Sequence, residues 1–117
     1  MKDYLLLFRG GDARRAELQT DPAQWQAHRE KWKTWMEGLG KEGKFVSGLP
    51  LANEGTVING SGKSVTDGPF TEGKEIVGGY LIIKAEDRHE AVKLSSGCPV
   101  LEHEGSVEIR ELLSMNM

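Results

Sequence analysis

One cysteine, Cys98, is the whole thiol complement of this 117-residue chain. A lone cysteine excludes an internal disulfide framework and a cysteine-rich zinc site. A reactive thiol needs an electropositive setting. Glu102 and Glu104 stand nearby in sequence instead, so Cys98 reads as a half-buried structural thiol. Long apolar runs are missing as well. No stretch approaches the roughly 18 residues of a membrane span, and the run inside residues 1–9 is too short for a signal-peptide core. A reducing cytoplasm is the expected compartment. There is no basic excess: 15 Lys and Arg face 18 Asp and Glu, for a net charge of −3. That balance disfavours binding to nucleic acid or to an anionic membrane. Nucleotide-binding glycine loops and the Gly-x-Ser-x-Gly nucleophile elbow are absent. Gly60-Ser61-Gly62-Lys63-Ser64 has a Gly-Lys-Ser ending. It lacks the leading glycine and the strand-to-helix context, and reads as a hairpin tip.

What remains is a globular composition, 38% hydrophobic and 28% charged. The length suits one domain over residues 1–117, which buries roughly two thirds of its unfolded surface. Asp3 to Arg9 is a nearly continuous apolar run, predicted to be a central strand covered on both faces. Residues 12–19 are polar and read as a loop or short turn. Thr20-Asp21-Pro22 opens a helix, with a capping side chain followed by Pro at the first helical position. Trp25, Trp32, Trp35, Met36 and Leu39 form one stripe on it, and Arg29, Glu30, Lys31, Lys33 and Glu37 fall mainly elsewhere. Gly40 and Gly43 are candidate terminators.

Lys44 to Leu49 is predicted to be a strand ended by Pro50. Residues 54–59 and 62–66 form a hairpin around Asn59-Gly60, followed by a turn at Thr66-Asp67-Gly68-Pro69-Phe70. Glu75 to Ala85 is a strand interrupted by Gly78-Gly79, a pair that marks a bulge or a close backbone approach. Asp87 and Glu90 form a capping-box-like start for a second helix with Ala91, Val92 and Leu94 on its apolar face. Gly97-Cys98-Pro99 stops it, and residues 105–113 close the chain as a strand.

Strand, helix, strand, hairpin, strand, helix, strand is a doubled split βαβ, the ferredoxin-like α+β arrangement with an extra β-hairpin. Both helices cover one sheet face. The other is left with apolar side chains in water, which favours pairing with a second copy. A homodimer is therefore expected.

Among chemically useful side chains, His28 lies three residues after Trp25 and four before Trp32, hence on the same helical face. Two readings stand: a core or boundary histidine with its hydrogen bonding satisfied, or a general acid/base in a pocket between helix and sheet. Asp67 either fixes its own tight turn or sets a carboxylate at the pocket mouth, with Phe70 as a wall. Gly78 and Gly79 can let a ligand or a neighbouring chain approach the backbone. The tryptophans read as core before cofactor platform. His89 is expected to be exposed, and the Glu102-His103-Glu104 triplet lacks metal-ligand spacing. No metal and no cofactor is expected.

The segment Thr66-Asp67-Gly68-Pro69-Phe70-Thr71-Glu72-Gly73-Lys74-Glu75-Ile76-Val77-Gly78-Gly79-Tyr80 resembles the YCII-related family, in the branch named for its Asp-Gly-Pro-Phe motif. The opening Tyr4 to Phe8 strand, the passage from Glu42 to Gly48 and the closing stretch from Gly105 to Leu112 are similar too. Gly73 departs from the threonine more common in the branch, which affects the stiffness of a loop. The resemblance implies a dimeric α+β barrel of ferredoxin-like subunits. It also implies a His–Asp pair in a cleft and a suspicion of enzymatic activity. His28 sits on the first helix, where the wider family's histidine is expected, and Asp67 is the aspartate of the signature.

Two functions stand side by side. One is a small-molecule enzyme with His28 and Asp67 as its acid/base pair and Trp25, Trp32, Phe70, Gly78 and Gly79 as its pocket. The other is a non-catalytic ligand-binding or sensory dimer using the same pocket. A purely structural dimer, ranked behind both, predicts no cavity between the first helix and the sheet.

Overall fold

The computed structural model describes residues 1–10, 21–52, 54–60, 64–67 and 77–115. Strand β1 (Lys2–Arg9) buries alternate residues, Tyr4, Leu6 and Phe8, and half-buries those between them. The remaining strands are β2 (Phe45–Pro50), β3 (Thr56–Asn59), β4 (Ser64–Asp67), β5 (Val77–Ala85) and β6 (Ser106–Glu111). Four of them form an antiparallel sheet in the order β2-β5-β1-β6, which makes β1 central as its apolar run predicted. Helices α1 (Pro22–Lys41) and α2 (Arg88–Ser95) carry the two crossovers. This is the ferredoxin-like α+β order. β3 and β4 form a separate two-stranded hairpin in which Asn59 pairs with Ser64.

The core lies between the helices and one sheet face. Tyr4, Leu6, Phe8, Leu81, Ile83 and Ala85 supply the sheet side, with Leu39, Ala91, Cys98 and Val100 opposite. Fully burying a side chain the size of Leu6 or Ile83 contributes about 1.5–3 kcal/mol. Cys98 is more deeply buried than its sequence context suggested. On the opposite face Leu5 pairs with Ile82 and Leu7 with Tyr80, all four half-buried. Two ion pairs flank this quartet: Lys84 to Asp3 at 3.2 Å and Arg9 to Glu108 at 2.9 Å.

Local chemistry sets the element ends. Asp21 Oδ1 accepts from the backbone N–H groups of Ala23 and Gln24 at 3.1 and 3.2 Å, with Pro22 at the first helical position. The helix runs through Gly40. It stops at Gly43, whose φ of 70° only glycine adopts without strain. There the N–H of Gly43 donates to Gly40 O and that of Lys44 to Leu39 O, the paired bonds of a Schellman stop. The glycine pair of β5 produces the anticipated irregularity: Phe8 pairs with Gly79 but Arg9 with Val77, so Gly78 is the extra residue.

The second helix differs from its sequence reading. Val92 is 49% exposed, and Ser95 takes the inward position, its hydroxyl donating to Ala91 O at 2.7 Å. Asp87 caps the Glu90 N–H as expected. The Glu90 carboxylate, however, reaches back to the N–H of Glu86, one residue beyond the usual capping-box partner. A short 3-10 helix (Pro99–His103), not anticipated from the sequence, follows and brings Val100 into the core.

Candidate functional site

The spacing 25, 28, 29, 32, 33, 36 is one face of α1, and the structure turns that face toward the β2–β5 end of the sheet. Between them lies a cleft of about 340 Å³. Trp25, His28, Trp32 and Met36 line it from the helix, Phe8 and Leu81 from the sheet, Gly48 from within β2, and Gly78 and Gly79 from the start of β5. Its size falls in the range of small-ligand pockets. A larger depression of about 650 Å³ lies on another side of α1, near Trp35 and Pro99. It is shallow, and it borders the exposed Lys31–Glu102 ion pair. The smaller cleft is walled by aromatic rings and holds a buried titratable side chain, and it is the better candidate.

His28 is 4% exposed. The indole N–H of Trp32 donates to its Nε2 at 3.1 Å. Nε2 therefore presents its lone pair to Trp32, and the proton of the neutral ring sits on Nδ1. The Trp32 ring stands edge-on to Phe8 with centroids 5.0 Å apart, which seats the donor against the core. Trp25 flanks His28 on the preceding turn with ring centroids 6.0 Å apart. Trp35, in the same sequence stripe, is not part of the cleft: its indole N–H donates to Leu94 O at 3.1 Å and ties α1 to α2.

Close strand packing shapes the far wall. A Cβ on Gly48 would lie 2.6 Å from Tyr80 O and 3.0 Å from Leu81 Cα. A Cβ on Gly79 would lie 3.2 Å from Leu49 O. The close approach foreseen at the glycine pair is thus made by β2 of the same chain. The carbonyl of Gly78 accepts from the Leu51 N–H at 2.9 Å.

Five of the residues singled out in the sequence, Trp25, His28, Trp32, Gly78 and Gly79, surround this one cleft. The backbone of Asp67 closes β4 opposite Thr56. Its side chain and all of Phe70 lie outside the described residues, as does any meeting of His28 with Asp67. Sequence reasoning missed Gly48, whose position inside a strand was a usable signal. It also missed Arg29 and Lys33, which stand at the cleft rim and not on the remote face of the helix. His89 is exposed. Among the described residues no group of three His, Cys, Asp or Glu side chains could hold a metal, and no helix is long and apolar enough to cross a membrane.

A ferredoxin-like domain with an aromatic cleft between its first helix and the sheet is the class this geometry defines. The YCII-related domain matches residues 12–116, and the chain belongs to that family. No curated protein matches the sequence. Among solved structures, the chain is similar to the 5-chloro-2-hydroxyhydroquinone dehydrochlorinase TftG of Burkholderia phenoliruptrix AC1100, solved in complex with 2,5-dihydroxybenzoquinone. The match has a TM-score of 0.51 and 18% identity over 95% of this chain and 93% of that one. At that identity the likeness establishes the shared fold.

Proposed function

We propose that the cleft is the active site of a small-molecule enzyme in which His28 moves a proton. The observation that carries this reading is a nearly buried imidazole on the wall of a ligand-sized cleft, held in one tautomer by Trp32. In the resting state the Nε2 lone pair accepts the indole N–H of Trp32. A substrate proton arriving at Nε2 displaces the indole N–H, and the ring becomes imidazolium. In this proposal Asp67, the aspartate of the signature, is the carboxylate that stabilises the imidazolium. The structural relative named as a dehydrochlorinase is compatible with enzymatic use of the fold.

Within the family we place the chain in the branch carrying Asp67-Gly68-Pro69-Phe70. Its working unit is a dimeric α+β barrel in the cytoplasm, with a second copy covering Leu5, Leu7, Tyr80 and Ile82. Burying that quartet removes apolar surface from water at about 25 cal/mol per Å². Neither nucleic acid nor membrane is a partner in this scheme.

One observation favours a second reading, a binding module without turnover: the accepting nitrogen of His28 is already engaged by Trp32. Hydrogen exchange separates the two. The protein is incubated in deuterated water with a panel of small carbon acids and phenols, and carbon-bound deuterium is measured by mass spectrometry. The enzyme reading expects incorporation that falls by about a hundredfold or more in His28→Gln, with binding retained. Binding without any incorporation across the panel supports the module.

A further inference from the structure

The rim of the cleft has a sign. Arg29 and Lys33, one helical turn apart, both contribute to its lining, and among the described residues no Asp or Glu does. Both side chains are exposed at the mouth. Among the described residues neither makes an ion pair, whereas Lys2, Arg9, Lys31, Lys44, Lys84 and Arg110 each do. The chain as a whole is acidic, at −3. Among the described residues, two cations outside any ion pair beside a mostly apolar cleft are thus a local exception to the charge of the molecule. Deeper in, the walls are flat rings: Trp25 and Trp32 from α1 and Phe8 from the sheet. Such walls favour a planar ring, and the cationic rim favours negative charge at one end of it.

We propose that the cleft takes a planar aromatic anion. Its ring lies among Trp25, Trp32 and Phe8, and its charge points outward to Arg29 and Lys33. This inference rests on reading the cleft as the ligand site and names the ligand class for it. A carboxylate and a phenolate share the required chemistry, a flat ring bearing one negative oxygen group. Arg29 can meet a carboxylate through two parallel N–H donors, which a single phenolate oxygen cannot match. Arg29 and Lys33 at the rim disfavour an organic cation, and saturated anions gain less from the rings.

The test uses the full chain and the indole N–H signals in proton–nitrogen NMR. Trp25 and Trp32 report on the cleft. Trp35, whose indole N–H is bonded to Leu94 O and whose ring packs against Trp32 and Phe8, reports what is transmitted through the core. The probes are benzoate, phenolate at alkaline pH, neutral benzamide, and cyclohexanecarboxylate, which has the charge without the flat ring. Benzoate is expected to shift Trp25 and Trp32 saturably and by clearly more than Trp35. It should bind about tenfold more tightly than benzamide or cyclohexanecarboxylate, the scale of one charge-assisted hydrogen bond. Phenolate weaker than benzoate assigns the carboxylate, and the reverse assigns the phenolate.

In Arg29→Gln/Lys33→Gln benzoate should fall to the level of benzamide, and benzamide itself should not change. Equal binding of benzoate and benzamide, or benzoate binding unaffected by the double substitution, overturns the anion class. So does the absence of saturable shifts with every probe. Because the readout is on the indoles, it is independent of proton transfer. Anion-selective binding that survives His28→Gln upholds the ligand class even if no deuterium exchange is found. Exchange with neutral compounds upholds the acid/base reading even if the ligand class fails.

Discussion

Trp32 donates its indole N–H to Nε2 of His28, one helical turn earlier, at 3.1 Å. The contact joins a residue anchored against Phe8 to the one buried histidine among the described residues, so packing decides which imidazole nitrogen carries the proton. Trp32→Phe keeps a ring against Phe8 and removes the donor. The substitution should cost about 1 kcal/mol in urea unfolding, the net worth of one hydrogen bond. Long-range proton–nitrogen spectra of the neutral ring should change from a single Nδ1–H form to a mixture that includes Nε2–H. An unchanged tautomer would show that Trp32 does not set it.

Glycine positions along the chain should respond in opposite directions. At Gly48 a methyl group meets the backbone of Tyr80 and Leu81, which cannot swing aside as a side chain can. Gly48→Ala is expected to cost about 1–3 kcal/mol. Gly38 lies inside α1 with nothing within 4 Å of its Cβ position. Gly38→Ala should stabilise by about 0.5–1 kcal/mol, because alanine loses less backbone freedom in a helix. Chemical denaturation of the two variants is the check.

A pH dependence follows from Lys44 and Glu90, which meet at 2.7 Å. The hydrogen bond from Lys44, and then that from the Glu86 N–H, hold the Glu90 carboxyl below its ordinary 4.5. The hydrogen bond to Glu90 holds Lys44 above its ordinary 10.5 against some desolvation. The carboxylate's contribution is present above its unfolded value and is lost as pH falls through the lowered folded one. The ammonium's contribution is complete below its unfolded value and is lost as pH rises through the raised folded one. The melting-temperature gap between wild type and Lys44→Met should therefore be flat between about pH 5.5 and 9.5 and shrink on either side. A gap that does not narrow at either extreme would mean that packing of the lysine stem, not the ion pair, is what the variant loses.

Association through the open sheet face is tested on Leu7 and Ile82, which sit at its centre and whose side chains leave the core intact. Leu7→Lys/Ile82→Lys should sediment as a monomer with an unchanged far-ultraviolet circular dichroism spectrum, whereas the wild type should sediment as a dimer. A wild-type monomer would remove the second copy from the proposed working unit.

Much of the frame was legible because its signals are local. Asp21-Pro22 starts α1 by capping chemistry. Gly43 ends it because the chain must turn left-handed there, and the neighbouring Gly40 could not be told apart without the backbone. The His28 face was readable because 25, 28 and 32 fall on one side of any helix. Contacts that depend on distant elements were not readable. Whether Arg29 and Lys33 meet solvent alone or rim a cleft depends on where β2 crosses α1, which no spacing within the helix contains. The inward Ser95 and outward Val92 invert the hydrophobic pattern. Over so short a helix the hydroxyl satisfies itself on the preceding turn, and docking onto the sheet outweighs side-chain polarity. Asp67 remained a matter of resemblance, since an Asp-Gly-Pro turn is chemically self-sufficient whether or not its carboxylate serves another residue.

Cys98 is the only thiol in the chain and is 2% exposed in the core. It precedes the 3-10 helix that seats Val100. A bulky sulfhydryl reagent can reach it only when that corner lifts, so labelling kinetics in native buffer become a built-in clock for local opening. With the cleft lying elsewhere on α1, the same clock can be read with and without a ligand to learn whether filling one side of the helix tightens the other.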